Sequence, residues 1–435
     1  MIDFNELKTL YNRCDPYESL DPTDDRNVDL DKCAGEVRGR DWVETLARAV
    51  ELSDTPVCEL FSGFPGSGKS TELRRLLARL SDPKRANLLP VRVDAQDRLD
   101  LANAIDISDV MIAVLHETER AVLEAEGKAV EEAMKVGYAE RLWRWLTHTE
   151  IKLGTVAYKI PGTGVALGLE MRTRPELREL VRKTVARHLS AFLADARGEL
   201  ARLEARAKAR GHLGIVVVID SLEKMQPTTQ NWTEVVDSYE RLFAGGSPHL
   251  RLPVHALYTV PPAVVARALH QVHFLPMVKV HQRDGSEFPP GVDALRELVH
   301  KRVPKDKLAA MLGADYEKRV VELIQFSGGY PRDLVRLLRG LITQDVHPVS
   351  KLRFDHVLDD LRVDYTRLLT EEDRLLLAEV ARLHRLPVLD DSRRALADRM
   401  LSLHVVMRYR NGDEWTDVHP ALRSVVETPA SERNE

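Results

Sequence analysis

Cysteine is scarce, with three in 435 residues: Cys14, Cys33 and Cys58. Their spacing matches no metal-binding motif, and so few thiols exclude a disulfide scaffold. Long apolar runs are missing as well. No stretch of about 18 residues is free of charge, so no membrane-crossing helix and no membrane contact are expected. The opening MIDFNELKTLYNRC is too polar for a secretory signal, which leads to a cytoplasmic expectation. Internal repeats are absent. So is an excess of positive charge: the formal net charge is -5. That excludes a surface built as a whole to attract nucleic acid, while leaving room for a local basic patch.

What is present is a phosphate-binding loop. Phe61 to Thr71 read FSGFPGSGKST, matching G-x-x-x-x-G-K-[ST] at Gly63, Gly68, Lys69 and Ser70. Glycines let backbone N–H groups curl around phosphate oxygens, and the helix that follows aims its positive end at them. Pro65, Gly66, Ser67 and Thr71 complete the loop. Lys69 is expected to reach the β and γ phosphates of ATP, and Ser70 to ligate Mg²⁺. The context is right: an apolar strand over Val57–Ser62 precedes the loop, and the helix KSTELRRLLARL follows. Further strands are expected at Leu88–Ala95, Ile215–Ile219 and Val254–Val260. The run IVVVI suits a parallel sheet covered on both faces.

Asp220 ends that run, where ligands bind α/β sheets, and is read as the Mg²⁺ partner acting mostly through water. The next residues are Ser221, Leu222 and Glu223. Glu223 is the nearest carboxylate that could polarise an attacking water; the other reading is that it only buttresses Lys224 or the metal shell. Thr259, ending the Val254–Val260 strand, either bonds the γ-phosphate or water, or is an ordinary strand threonine. Arg332, opening a helix after a Gly-Gly-Tyr-Pro turn, is read as a sensor of γ-phosphate charge, against a plain surface ion pair. Arg251 and Arg241 compete for the role of a finger across a subunit interface, which would need a homo-oligomer.

The expected architecture is α/β. Residues 1–36 wrap the core; 37–285 form the ATPase core, with a helical insertion at about 104–210; 286–350 form a helical lid; 351–435 form a winged helix. The core begins with a helix at Trp42–Glu51. The insertion reads as helices over 104–147 and 175–210 around a Gly-rich stretch, Thr155–Leu169. Its second part is rich in arginine and lysine, read as a solvated face. Helical patterns fill 292–346. The tail reads as helices at 371–384 and 392–403, then two strands joined at Asn411–Gly412, a strong hairpin signal.

Val37-Arg38-Gly39-Arg40-Asp41 resembles the box that grips the adenine side of the nucleotide in origin-initiator ATPases and in signal-transducing ATPases with numerous domains. The pattern Asp220-Ser221-Leu222-Glu223 is similar to the signal-transducing branch. Gly328-Gly329-Tyr330-Pro331-Arg332 resembles the lid turn of both branches, as the tail resembles their winged helix. The resemblance implies an AAA+-type P-loop fold, ATP and Mg²⁺ as cofactors, Arg40 at the nucleotide, and oligomerisation or a protein partner in signalling or antiviral defence. It also implies a winged-helix histidine that contacts the diphosphate. Here His419, in Asp417-Val418-His419-Pro420, stands at a comparable place, with capping of the last helix as the plainer reading. A regulatory switch is the first functional expectation and a DNA-binding initiator or loader the second. From Arg367 onward there are 11 Arg or Lys against 13 Asp or Glu, a balance that does not favour DNA. A metabolic kinase is the weakest reading, since a winged helix adds nothing to phosphorylating a small molecule.

Overall fold

The computed structural model describes residues 2–134, 172–226, 228, 230–243, 248–265, 271–387 and 390–427. The Thr155–Leu169 stretch and the part of the first insertion helix beyond residue 134 lie outside these.

Along the chain the elements are α1 (Phe4–Arg13), α2 (Trp42–Glu51), β1 (Cys58–Gly63), α3 (Lys69–Leu80), β2 (Leu88–Asp94), α4 (Ile107–Ala125), α5 (Pro175–Arg187), α6 (Leu189–Lys208), β3 (Gly214–Asp220), α7 (Trp232–Phe243), β4 (His255–Val260) and β5 (Val272–Leu275). Helices α8 (Pro289–Arg302), α9 (Lys305–Leu312), α10 (Tyr316–Phe326), α11 (Pro331–Ile342) and α12 (Lys351–Thr366) follow. The tail holds α13 (Glu371–Leu383), α14 (Asp391–Ser402), β6 (Val406–Asn411) and β7 (Asp413–Val418). The sheet runs β2-β3-β4-β1-β5, and the β2·β3, β3·β4 and β1·β4 pairs are parallel. The expected fold class is borne out: a parallel sheet with flanking helices, a helical lid, and a helix–helix–hairpin tail of winged-helix type. No helix among the described residues is long and apolar enough to cross a membrane.

The chain divides into two compact units. One comprises Glu44–Ser62 and Leu73–His273 and holds most of the sheet with the insertion. Every residue of β3 is buried, as its unbroken apolar run requires. Helices α4 and α6 pack on each other, and α4 also packs on β2. Phe192, Leu193, Leu200 and Leu203 are all at or below 4% exposure, each stabilising by about 1.5–3 kcal/mol. The expected single helix over 175–210 is broken at His188, whose φ of -127° and ψ of 31° end α5 and begin α6. Its basic face is less solvated than the sequence suggests. Arg178 pairs with Asp100, Arg182 with Asp109, Arg202 with Glu199 and Arg206 with Glu126.

The other unit comprises Met1–Val43, Gly63–Glu72 and Phe274–Glu435. Within it α1 is fixed by a capping box between Asp3 and Glu6 and packs on α11. Thr370 and Asp373 cap α13 the same way. The hairpin pairs Asn411 with Asp413 across Gly412, whose φ is +85°. Tyr409 and Trp415 face each other in the hairpin register and stack at 4.4 Å between ring centroids.

Candidate nucleotide-binding site

The phosphate loop leaves β1 at Gly63 and closes on itself before α3. Gly66 and Gly68 take φ of +89° and +99°, values a side chain would strain. The Ser67 N–H donates to Phe64 O at 3.0 Å. Lys69 is almost wholly buried, and its Nζ donates to Gly63 O at 2.8 Å and Phe64 O at 2.9 Å. Ser70 and Thr71 lie half-buried in the first turn of α3, as Pro65 does in the loop. Ser67 Oγ is buried with no hydrogen-bond partner among the described residues, a polar group at a place suited to a phosphate oxygen.

The residue bracing the loop from the Val37–Asp41 box is Arg38 rather than Arg40. Arg38 is 1% exposed; it donates to Ser67 O at 2.7 Å and to Glu72 Oε1 at 3.0 Å. Its own carbonyl accepts from Trp42 Nε1 at 3.1 Å. Arg40 is half-buried over the Trp42 ring, 4.9 Å from its centroid. The turn between them needs Gly39, at φ +79°, because a Cβ there would press on the Arg410 side chain. No sequence signal separates the two arginines; their burial does.

The lid turn lies against the same loop. The Tyr330 hydroxyl donates to Pro65 O. A Cβ added to Gly66 would collide with the Arg332 guanidinium, so the arginine singled out from sequence sits directly on the phosphate loop. The Arg332 guanidinium also stacks over Tyr17, and its Nε donates to Pro16 O at 3.4 Å. The hairpin of the tail holds this turn in place. Tyr409 OH donates to Gly328 O at 2.7 Å, and Arg408 O accepts from Met277 N at 2.9 Å.

His419 is wholly buried and uses both ring nitrogens within the protein. Nε2 lies 3.1 Å from Asp333 Oδ2, and Nδ1 accepts from Ala421 N at 3.1 Å. The expected capping is therefore present, and Nε2 is engaged with Asp333, the residue after Arg332. Tyr365 OH donates to the same Asp333 oxygen at 2.6 Å. Burial pushes the Asp333 carboxyl up, but the His419 and Tyr365 hydrogen bonds and the neighbouring positive charge outweigh it and leave it below its ordinary value. The histidine that does reach the loop is His404, which sequence reasoning passed over. Its ring meets Phe64 and Tyr330 edge-on at 5.8 and 5.9 Å. Burial, then the Arg332 charge, drive its pKa down to about 3, so the ring is neutral.

The other unit gathers Asp220, Glu223 and Thr259. Asp220 is fully buried; its Oδ1 accepts from Ser221 N at 2.8 Å and its Oδ2 from Arg92 Nη2 at 2.9 Å. Arg92 also holds Asp94 at 2.8 Å. The register pairing Asp94 with Asp220 brings these carboxylates together, and sequence reasoning did not anticipate their shared arginine. Ser221 sits at φ +68°, and the turn it begins is held by Thr259, whose Oγ1 accepts from Leu222 N at 2.9 Å. Thr259 thus braces the Asp220–Glu223 turn. Glu223 is 5% exposed. Arg241 and Arg251 are both exposed.

No family model and no curated protein matches the chain. Among solved structures, it is similar to the ORC2 protein of Aeropyrum pernix, solved as ADPNP-ADP complexes, at 13% identity. That alignment covers 89% of this chain and 92% of that one, with a TM-score of 0.35. Cdc6p from Pyrobaculum aerophilum aligns at 10% identity over 95% of this chain and 96% of that one, with a TM-score of 0.34. Neither likeness bears on the roles of individual residues.

Proposed function

We propose that this chain is a slow Mg²⁺-dependent ATPase acting as a regulatory switch, which changes conformation or assembly to control a protein partner in a signalling or defence setting. The observation that carries it is Arg332. Its guanidinium rests on Gly66 of the phosphate loop, and its neighbour Asp333 is tied to His419 of the tail. A single helix start thus reads the loop and holds the winged helix.

Loop N–H groups, Lys69 and the N-terminus of α3 suit the phosphates, and Ser70 offers a hydroxyl to the metal. Bound Mg²⁺-ATP supplies the γ-phosphate whose presence is the signal. Asp220, whose carboxylate is held by Arg92, would act on a Mg²⁺ through water. Glu223 accepts a proton from the attacking water, with Thr259 as the residue that positions its turn. Arg332 would answer to the terminal phosphate charge, and its neighbour Asp333, bonded to His419, would pass a displacement to the tail. A ligand shifts such an equilibrium only through different contacts in the two states, and Arg332 provides them. A DNA-loading role is less favoured. Among the tail arginines, Arg393 pairs with Glu379, Arg399 with Asp373 and Arg423 with Asp417, leaving less cationic surface for phosphodiesters.

Calorimetric titration with a non-hydrolysable ATP analogue and Mg²⁺ tests the site. Lys69→Ala is expected to abolish binding. Unchanged affinity in a folded Lys69→Ala variant would remove the phosphate loop as the nucleotide site.

A further inference from the structure

Arg332 carries the proposed switch, and two of its partners come from the other end of the chain. Its guanidinium lies over the ring of Tyr17, 5.3 Å from the centroid, and its Nε donates to Pro16 O at 3.4 Å. The other arginines of α11 are settled differently. Arg336 pairs with Asp333 at 3.4 Å and with Asp364 at 2.8 Å, and Arg339 pairs with Asp15 at 3.7 Å. Among the described residues, Arg332 has an aromatic face and a carbonyl in place of a carboxylate. It also stands in the first turn of its helix, where the helix dipole disfavours a cation. Its charge is the least compensated of the three, so an anion can draw it away.

Tyr17 is 72% exposed, so burial, the usual reason for placing a large aromatic ring, does not account for it. The chain around it is nevertheless tied down on both sides. Tyr17 N donates to Asp15 Oδ1 at 2.9 Å. Before that turn, Cys14 is fully buried, and Arg13 Nη2 donates to Lys301 O at 2.6 Å. After it, Glu18 accepts from both terminal nitrogens of Arg26, at 2.7 and 2.9 Å. Arg26 O in turn accepts from Arg302 Nη1 at 3.3 Å. The Tyr17 backbone is thus a fixed seat, and the long arginine side chain is the partner free to change rotamer.

We propose that Asp15–Tyr17 is a latch on the nucleotide site. The Tyr17 ring and the Pro16 carbonyl seat Arg332 in competition with the γ-phosphate of ATP, and so set how strongly the switch distinguishes ATP from ADP. This rests on the reading of Arg332 as the γ-phosphate sensor. ADP has no γ-phosphate to draw the guanidinium off, so its binding leaves the seat occupied. A cation over an exposed phenol ring biases an equilibrium about 2–5-fold, and only such a difference between states shifts their populations.

The test is calorimetric titration of the full chain with Mg²⁺-ADP and with Mg²⁺ and a non-hydrolysable ATP analogue. Tyr17→Leu removes the π face at an exposed position, and circular dichroism checks its folding. It is expected to bind the ATP analogue about 2–5-fold more tightly, with ADP affinity unchanged. Tyr17→Phe keeps the ring and should match wild type. In an Arg332→Ala background Tyr17→Leu should change nothing, because no guanidinium is left to seat. An unchanged or lowered preference for the ATP analogue in Tyr17→Leu, or the same gain in Tyr17→Phe, would overturn the latch. If Arg332→Ala lowers that preference while Tyr17→Leu does not raise it, only the latch fails. If Arg332→Ala leaves the preference as in wild type, the sensor reading fails and the latch with it.

Discussion

At the residue scale, a few buried polar groups set the chemistry. Lys69 holds its ammonium on two carbonyls of its own loop, so a phosphate bound as proposed would have to exchange these bonds. Glu223→Gln keeps size and removes charge. If Glu223 takes the proton, phosphate release in a single-turnover assay should fall about 10²–10⁴-fold while ATP-analogue affinity persists. Wild-type turnover in that variant would leave Asp220 or a partner's group as the base. His404 gives a pH signature. Its folded pKa, about 3, lies below the ordinary value near 6.5, so the unfolded state binds the proton first. The stability it protects is present above about pH 6.5 and is lost toward pH 3, at up to about 1.4 kcal/mol per unit. His404→Asn tolerates the φ of +60° found there and should flatten that part of the urea-midpoint profile; an unchanged slope would place the titration elsewhere. The loop itself was legible in sequence because its glycines and lysine have fixed roles. Arg38 over Arg40, and His404 beside His419, were not: burial decides those choices, and burial depends on segments far apart in the chain.

At the element scale, the lid is a chain of short bonds. Helix α11 begins with Pro331, carries Arg332 on the phosphate loop, and anchors its next residue to α12 through Tyr365 and to the tail through His419. His419→Ala leaves Asp333 with one fewer partner in a fully buried place and should cost about 1–3 kcal/mol in urea unfolding. The switch account adds an effect that a purely structural histidine would lack: assembly or partner association that no longer requires ATP. Long periodic helices and the Asn-Gly hairpin were readable from pattern. Helix α1 was passed over despite its Asp3–Glu6 box, because a run of Asp and Pro beyond it dominates the segment. Strand β5 is four residues long, too short to show alternation. The break at His188 joins two helices without Gly or Pro, so composition gave no warning.

At the scale of the whole molecule, the account describes a slow switch, with turnover expected below the ~10 s⁻¹ median of enzymes, since no carboxylate directly follows Asp220. The direct test is small-angle scattering with sedimentation analysis on wild type and Arg332→Ala, each saturated with ADP or with a non-hydrolysable ATP analogue. The account predicts that wild-type protein changes shape or mass between the two nucleotides, and that Arg332→Ala binds both but gives the ADP-state curve with each. Identical scattering and mass for wild type in both states, with binding of both nucleotides verified, would contradict it.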